Sequence, residues 1–177
     1  MTDVSANRQS RKYPRKIQLW RILWALAQPL FRLSPRPFWA WRRWLLRGFG
    51  ACVGPQAHVY PSVRITMPWN LSLGAQSAIG DRAILYALGE ITIGDRATVS
   101  QGAHLCAGSH DHRRPDRPLI TSPIHIGADA WVAADAFVGP GTHIGAGAIV
   151  GARAVVMRSV PAGRTVVGNP AQVIDPS

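Results

Sequence analysis

"IHIGADAWVAADAFVGPGTHIGAGAIVGARAVV", residues 124–156, returns an aliphatic residue at every sixth position: Ile126, Val132, Val138, Ile144, Val150 and Val156. The next residue is small after each of the first five: Gly127, Ala133, Gly139, Gly145 and Gly151. Another small residue often stands four after the aliphatic: Ala130, Ala136, Thr142, Ala148, Ala154. A period of two would mark ordinary half-buried strands and a period of 3.6 would mark helices. A strict six fits very short strands joined by tight turns, with the aliphatic inward and small residues permitting the corner. Coils of that kind stack and bury a continuous apolar column.

The same beat runs earlier through Val53, Val59, Ile65 and Leu71, slips by two to Leu73, and resumes at Ile79. It continues through Ile93, Val99 and Leu105. This pattern resembles the hexapeptide-repeat family. The resemblance implies a mainly β fold, a left-handed parallel β-helix of triangular section, with about six coils over the repeat. The hand comes from the resemblance, since the general crossover rule points to the right-handed form.

The beat fails between Leu105 and Ile126, which are 21 residues apart, not a multiple of six. The predicted loop, residues 106–123, therefore leaves the coil, and loops on a solenoid face are common sites of function. It carries Ser109, His110, Asp111, His112, Arg113, Arg114, Asp116 and Arg117. A Ser-His-Asp triad fails on geometry, because adjacent side chains in an extended segment point in opposite directions. Cys106 is a weak nucleophile candidate, since a lone Cys is usually a small buried hydrophobe. His104, His110, His112, His125 and His143 offer imidazoles for a metal but no clear three-ligand spacing, so no metal is expected. A single histidine acting as general base needs only one well-placed ring, with an acid or carbonyl on its other nitrogen. Against all of these stands the plain reading of His110 and His112 as solvated loop residues.

Charge divides the chain of 177 residues and net charge +11 unevenly. Residues 1–50 hold eleven Lys/Arg and one acid, whereas residues 51–177 hold nine basic and eight acidic residues. The basicity thus belongs to an N-terminal arm, and a nucleic-acid partner is not expected. Residues 1–16 read as a flexible basic tail. Residues 17–50, with five of the seven tryptophans, read as an amphipathic helical segment. In "KIQLWRILWALAQPLFRLS" Gln18, Arg21, Gln28 and Arg32 share one sector, and Trp20, Leu23, Trp24, Ala27, Leu30 and Phe31 share the rest. Pro29 should end or kink this helix. In "SPRPFWAWRRWLLRGFG" Ser34 suits a cap and Gly48 an end. The apolar face fits packing on the repeat body or a neighbouring subunit, and it also fits peripheral contact with a membrane interface. Two cysteines give no disulfide framework, no clean leader or spanning run is visible, and a cytoplasmic location is expected. Residues 51–177 read as the β-helix domain.

A narrower resemblance rests on "LLRGFGACVG" (45–54), "PWNLSLG" (68–74), "ITIGDRATVSQGAHLCAGSHD" (91–111), the block from residue 123 to 156, and "VGNPAQVI" (167–174). These are similar to the colanic-acid-biosynthesis type of acetyltransferase within the galactoside/maltose O-acetyltransferase family. The resemblance implies an O-acetyltransferase that moves acetyl from acetyl-CoA to a sugar, nucleotide-sugar or lipid-linked glycan hydroxyl during exopolysaccharide assembly. It implies a homotrimer with acetyl-CoA in a groove between subunits. His110 takes the place of the family's general base, with His112 as runner-up and Asp111 and Trp131 on the supporting or acceptor side. Ala134, Gly141, Ala152 and Arg158 take the places that meet the cofactor. The chain departs from the family where "LYALGE" (85–90) lacks an asparagine and where Gln172 replaces a basic residue. The alternative is a non-catalytic hexapeptide-repeat scaffold at the membrane surface.

Overall fold

The computed structural model of the chain describes residues 12–174; the predicted tail falls outside the described residues as far as residue 11. From residue 52 onward the chain winds as a parallel β-solenoid with three faces. Face A stacks β1 (Cys52–Val53), β4 (Leu71–Leu73), β7 (Ile91–Ile93), β12 (Ile124–Ile126) and β15 (His143–Ile144). Face B stacks β2 (His58–Val59), β5 (Ala78–Ile79), β8 (Thr98–Val99), β13 (Trp131–Val132), β16 (Ile149–Val150) and β18 (Thr165–Val167). Face C stacks β3 (Arg64–Ile65), β6 (Ile84–Tyr86), β9 (His104–Cys106), β14 (Phe137–Val138) and β17 (Val155–Val156). A bridge from Ile144 to Val160 opens a sixth coil, and β19 (Gln172–Ile174) closes that end antiparallel to β18.

The beat residues form the core. Ile79, Leu85, Ile93, Val99, Leu105, Val132, Val138, Ile144 and Val150 are buried, as are the small residues Ala83, Ala97, Ala103, Ala130, Ala136, Ala148 and Ala154. Most of the six-residue corners carry a residue of positive φ three after the aliphatic: Gln56, Gln76, Arg82, Arg96, Asp129, Asp135 and Arg153, with Gly102, Gly141, Gly147 and Gly163 in the same place. A β-turn with φ > 0 at its third residue sets this requirement. The glycines at the corner from face A to face B answer a different one. A Cβ on Gly54, Gly74 or Gly127 would lie 2.5 Å from a backbone nitrogen of the next coil. Those nitrogens belong to Ala75, Asp95 and Ala146, and Gly145 faces Ala162 in the same way.

All extra length enters at the corner from face C to face A. Ile65 to Leu73 and Leu85 to Ile93 each take eight residues and Leu105 to Ile126 takes 21, but Val138 to Ile144 takes six. The slip at Leu71 is thus a lengthened corner. A short 3-10 turn, Pro68–Asn70, fills it, and Leu71 and Leu73 both point inward.

Two helices close the first coil: α1 (Arg15–Arg32) and α2 (Trp39–Gly48). They resolve the edge problem of an open solenoid end, whose carbonyls would otherwise await another strand. Arg42 Nε donates to Val59 O at 2.6 Å, Arg43 Nη1 to Ala57 O at 3.1 Å, and Arg47 to Val53 O at 2.6 and 3.0 Å. Trp24 Nε1 donates to Ile65 O at 2.8 Å. Trp24, Phe31, Leu45 and Leu46 are buried in the same core as the solenoid, so the helical segment packs on the repeat body. Two expectations change. α1 runs through Pro29 to Arg32, because the buried Phe31 holds its last turn against the core. Ser34 does not cap α2, which begins five residues later; its Oγ donates to Phe31 O and accepts from Arg42 Nη1.

Candidate active site

The predicted loop is an antiparallel hairpin standing off the edge between faces C and A. Its strands are β10 (Gly108–His110) and β11 (Leu119–Thr121), with Ser109 opposite Ile120 and His110 opposite Leu119. The root is tightly seated. A Cβ on Gly108 would lie 2.9 Å from Leu88 Cδ1, and one on Gly89 would lie 2.9 Å from Ala107 O. Asn70 braces that seat from the coil below, its Nδ2 donating to Ala87 O at 2.9 Å and Leu88 O at 3.1 Å. Neither Asn70 nor this seat emerges from the loop's own sequence; the signal available was an amide at the earlier break in the beat.

His110 is exposed at the end of β10, and its Nδ1 lies 2.7 Å from Arg117 O. A carbonyl only accepts, so Nδ1 carries the proton, and in the neutral ring Nε2 presents its lone pair. Asp111 does not orient the ring. Its carboxylate accepts from Arg113 N at 3.0 Å, and its own N–H donates to Pro118 O, which shapes the tip. Arg114 pairs with Asp116 through two hydrogen bonds of 3.0 Å. His112 is exposed within that tip. The Ser-His-Asp geometry is absent here, as the alternation along β10 requires. Cys106 lies at the root, its thiol donating to Gly108 O at 3.2 Å.

The other residues distribute along two edges. Gly141 and Arg158 occupy the C-to-A corners of the next two coils, above the hairpin. Gly141 N donates to Pro123 O at 3.1 Å, beside the returning strand of the hairpin. Arg158 is exposed and lines a cleft of about 440 Å³ with Met157, Pro170 and Gln172. Ala134 and Ala152 lie instead on consecutive B-to-C corners, linked by Arg153 N donating to Ala134 O. Trp131 is on face B, with its indole N–H on Ser100 Oγ at 2.8 Å. One chain therefore does not gather the whole predicted set. Among the histidines, His125 and His143 pair on face A, and His104 lies on face C between Ile84 and Phe137. No group of three or more His, Cys, Asp or Glu among the described residues is placed to hold a metal ion. Burial lowers the His104 imidazole below its ordinary pKa, which keeps it neutral.

An imidazole with a fixed tautomer and an open Nε2 can take a proton from a hydroxyl. Residues 123–158 match the family model "Bacterial transferase hexapeptide (six repeats)". The chain is 48% identical over 159 residues to the WcaF protein of Escherichia coli (strain K12), which is named as an acetyltransferase of colanic acid biosynthesis. The match covers 90% of this chain and 86% of that one. A maltose O-acetyltransferase from Clostridium difficile 630 has the same fold, with a TM-score of 0.83 at 24% identity over 98% of this chain and 96% of that one. So does a hexapeptide-repeat acetyltransferase, VCA0836 from Vibrio cholerae O1 biovar eltor, complexed with acetyl coenzyme A, with a TM-score of 0.84 at 24% identity over 93% and 91% of the two chains. With a repeat body of this form and a relative this similar over nearly its whole length, the chain belongs to the hexapeptide-repeat acetyltransferases.

Proposed function

We propose that this acetyltransferase moves acetyl from acetyl-CoA to a sugar hydroxyl in exopolysaccharide assembly, with His110 as general base. The observation that carries the reading is the 2.7 Å contact between His110 Nδ1 and Arg117 O, which leaves Nε2 as the acceptor. Nε2 takes the hydroxyl proton as that oxygen attacks the thioester carbon. The tetrahedral adduct then collapses, the carbon–sulfur bond breaks, and the departing sulfur takes the proton back. The products are an acetyl ester and the free thiol of CoA. Most of the rate comes from positioning, with a donor for the developing oxyanion.

Gly141 and Arg158 lie on the hairpin edge and suit a pantetheine arm and a phosphate. Ala134 and Ala152 lie on another edge, so a single acetyl-CoA meets both sets only where two copies face each other. That supports the homotrimer. A membrane-surface location is supported by α1, whose outward sector carries exposed Leu19, Ile22, Leu23, Leu26 and Leu30. Among the described residues no helix is long and apolar enough to cross a membrane. The sugar acceptor and the link to exopolysaccharide draw on the names of the relatives.

His110→Ala is expected to lower acetyl transfer by about 100-fold or more. Turnover near that of the unaltered chain would remove His110 from the role, and loss in His112→Ala alone would move it there. The scaffold alternative predicts no heat of acetyl-CoA binding in calorimetry, whereas the enzyme reading requires it.

A further inference from the structure

A second concave site lies below the hairpin, between α1 and the first coil. It is a cleft of about 650 Å³, within the range of small-ligand sites. One wall is the polar stripe of α1, with Arg21, Arg32, Gln18 and Gln28; Arg64 and Thr66 of the solenoid form the other. Trp24 and Ile65 form its floor, tied by the indole N–H on Ile65 O. No Asp or Glu lines it. The ion pairs of the described residues engage Arg36, Arg96, Arg114 and Arg153, and none of the three cleft arginines. Three guanidinium groups facing one cavity repel each other and focus a positive potential into it, which an anion relieves. Their forks match phosphate oxygens.

The cleft's position ties it to the acetyl-transfer site. Along face C, Arg64 pairs with Ile84, and Ile84 pairs with His104, the first residue of the strand from which the hairpin departs. Two coil steps amount to about 10 Å. Arg21 also stacks on the Tyr13 ring at 4.8 Å. Burial raises the Tyr13 phenol above its ordinary pKa, Arg21 opposes the rise, and nearby Tyr86 adds to it. Tyr86 in turn pairs with Cys106 at the hairpin root. The cleft and the base of the hairpin therefore share face C, two coils apart. A glycosyl phosphate bound at this level can extend its sugar toward the coil that carries the hairpin.

We propose that the cleft formed by Arg21, Arg32 and Arg64 binds the phosphate or diphosphate of a glycosyl phosphate acceptor, a role that rests on the reading of the hairpin as the acetyl-transfer site. Two sources share this chemistry: a nucleoside diphosphate sugar and a lipid-diphosphate-linked glycan.

The test is calorimetric titration of the full chain with inorganic pyrophosphate, alongside Arg21→Gln/Arg64→Gln. Both residues are exposed, so the fold should survive, which circular dichroism checks. Loss of affinity by about tenfold or more in the double variant is expected. The control is Arg82→Gln/Arg164→Gln, exposed on other corners, which should bind as the unaltered chain does. No binding, equal binding by the cleft variant, or equal loss in the control would overturn the proposal. Binding of UDP that the cleft variant loses assigns the nucleotide source. Co-sedimentation with phosphatidylcholine vesicles carrying a polyprenyl diphosphate, lost in the cleft variant, assigns the lipid source. Co-sedimentation that the cleft variant keeps in full and that Leu26→Glu/Leu30→Glu removes is attachment through the apolar sector of α1, and it overturns the lipid source. Acetyl transfer is measured separately. Its absence in the unaltered chain, with pyrophosphate binding intact and cleft-dependent, removes the catalytic reading and leaves the anion site standing.

Discussion

His110 acquires its form from a backbone group. The Arg117 carbonyl holds Nδ1 through a hydrogen bond of 2.7 Å, a task sequence patterning assigned to an acid or a carbonyl without choosing. Arg117 has φ 42°, in the left-handed region, and Pro118 follows it. The tip's own turns thus determine which oxygen faces the ring. Gly127 shows the same dependence on backbone in the solenoid. A Cβ there would meet Ala146 N at 2.5 Å and Gly145 C at 2.8 Å, atoms that cannot swing aside. Gly127→Ala should destabilise the fold by about 1–3 kcal/mol. Gly48→Ala, where nothing lies within 4 Å of the added carbon, should stay within about 1 kcal/mol of the parent. Thermal unfolding of the two variants checks the contrast. His104 makes a pH prediction. Its Nε2 is buried without a hydrogen-bond partner, and burial lowers its folded pKa below the unfolded value of about 6.5. In the window between the two values the unfolded chain binds more protons. Stability should therefore fall as pH drops through about 6.5, and level off once the folded ring also protonates. Melting temperatures from pH 7.5 to 5 should show a shallower decline in His104→Leu; equal slopes would refute the assignment.

The helical cap was legible as helices, but the burial of Arg42 within it was not. Arg42 is fully buried, and burial lowers its guanidinium pKa. It serves Val59 O, Ser34 Oγ, Pro35 O and Arg36 O, with its plane over the Trp39 ring at 4.7 Å. Arg42→Ala leaves those acceptors without that donor and opens a void. A loss of about 3 kcal/mol or more is expected in denaturant unfolding. Arg42→Lys should recover little of it, because a single ammonium cannot span the same fork. A loss under about 1 kcal/mol in the alanine variant would mean that water replaces the guanidinium freely. The hairpin is an element of the opposite kind. Its root is fixed by Gly89, Gly108 and Asn70, whereas its tip is held chiefly by its own hydrogen bonds.

Across the whole molecule, the positive charge of the first fifty residues has several uses. Arg42, Arg43 and Arg47 cap the solenoid end, Arg36 pairs with Asp81, and Arg21 and Arg32 line the cleft. The opposite sector of α1 remains apolar and open, with Leu26 71% and Leu30 58% exposed. An apolar sector on a basic helical segment suits the interface of an anionic bilayer. The full chain should sediment with phosphatidylglycerol vesicles, less so as salt rises. Leu26→Glu/Leu30→Glu should abolish that attachment, and unchanged sedimentation would remove the membrane reading.

Neighbouring residues alone specify the solenoid, because a six-residue beat of aliphatic and small residues repeats one local solution, and local solutions are written in adjacent residues. The sequence also located the excursion, through a spacing of 21 that the beat cannot absorb. The positive-φ residue three after most of the aliphatics was equally present but disguised, since Gln, Arg, Asp and Gly all fill it. Tertiary structure alone decided the rest. Which carbonyls Arg42, Arg43 and Arg47 satisfy, which oxygen sets the His110 tautomer, and which two walls bring Arg21, Arg32 and Arg64 into one cleft all depend on contacts between distant segments. A periodic pattern encodes what a residue does for its neighbours along the chain, but a hydrogen bond across coils exists only once the coils have stacked.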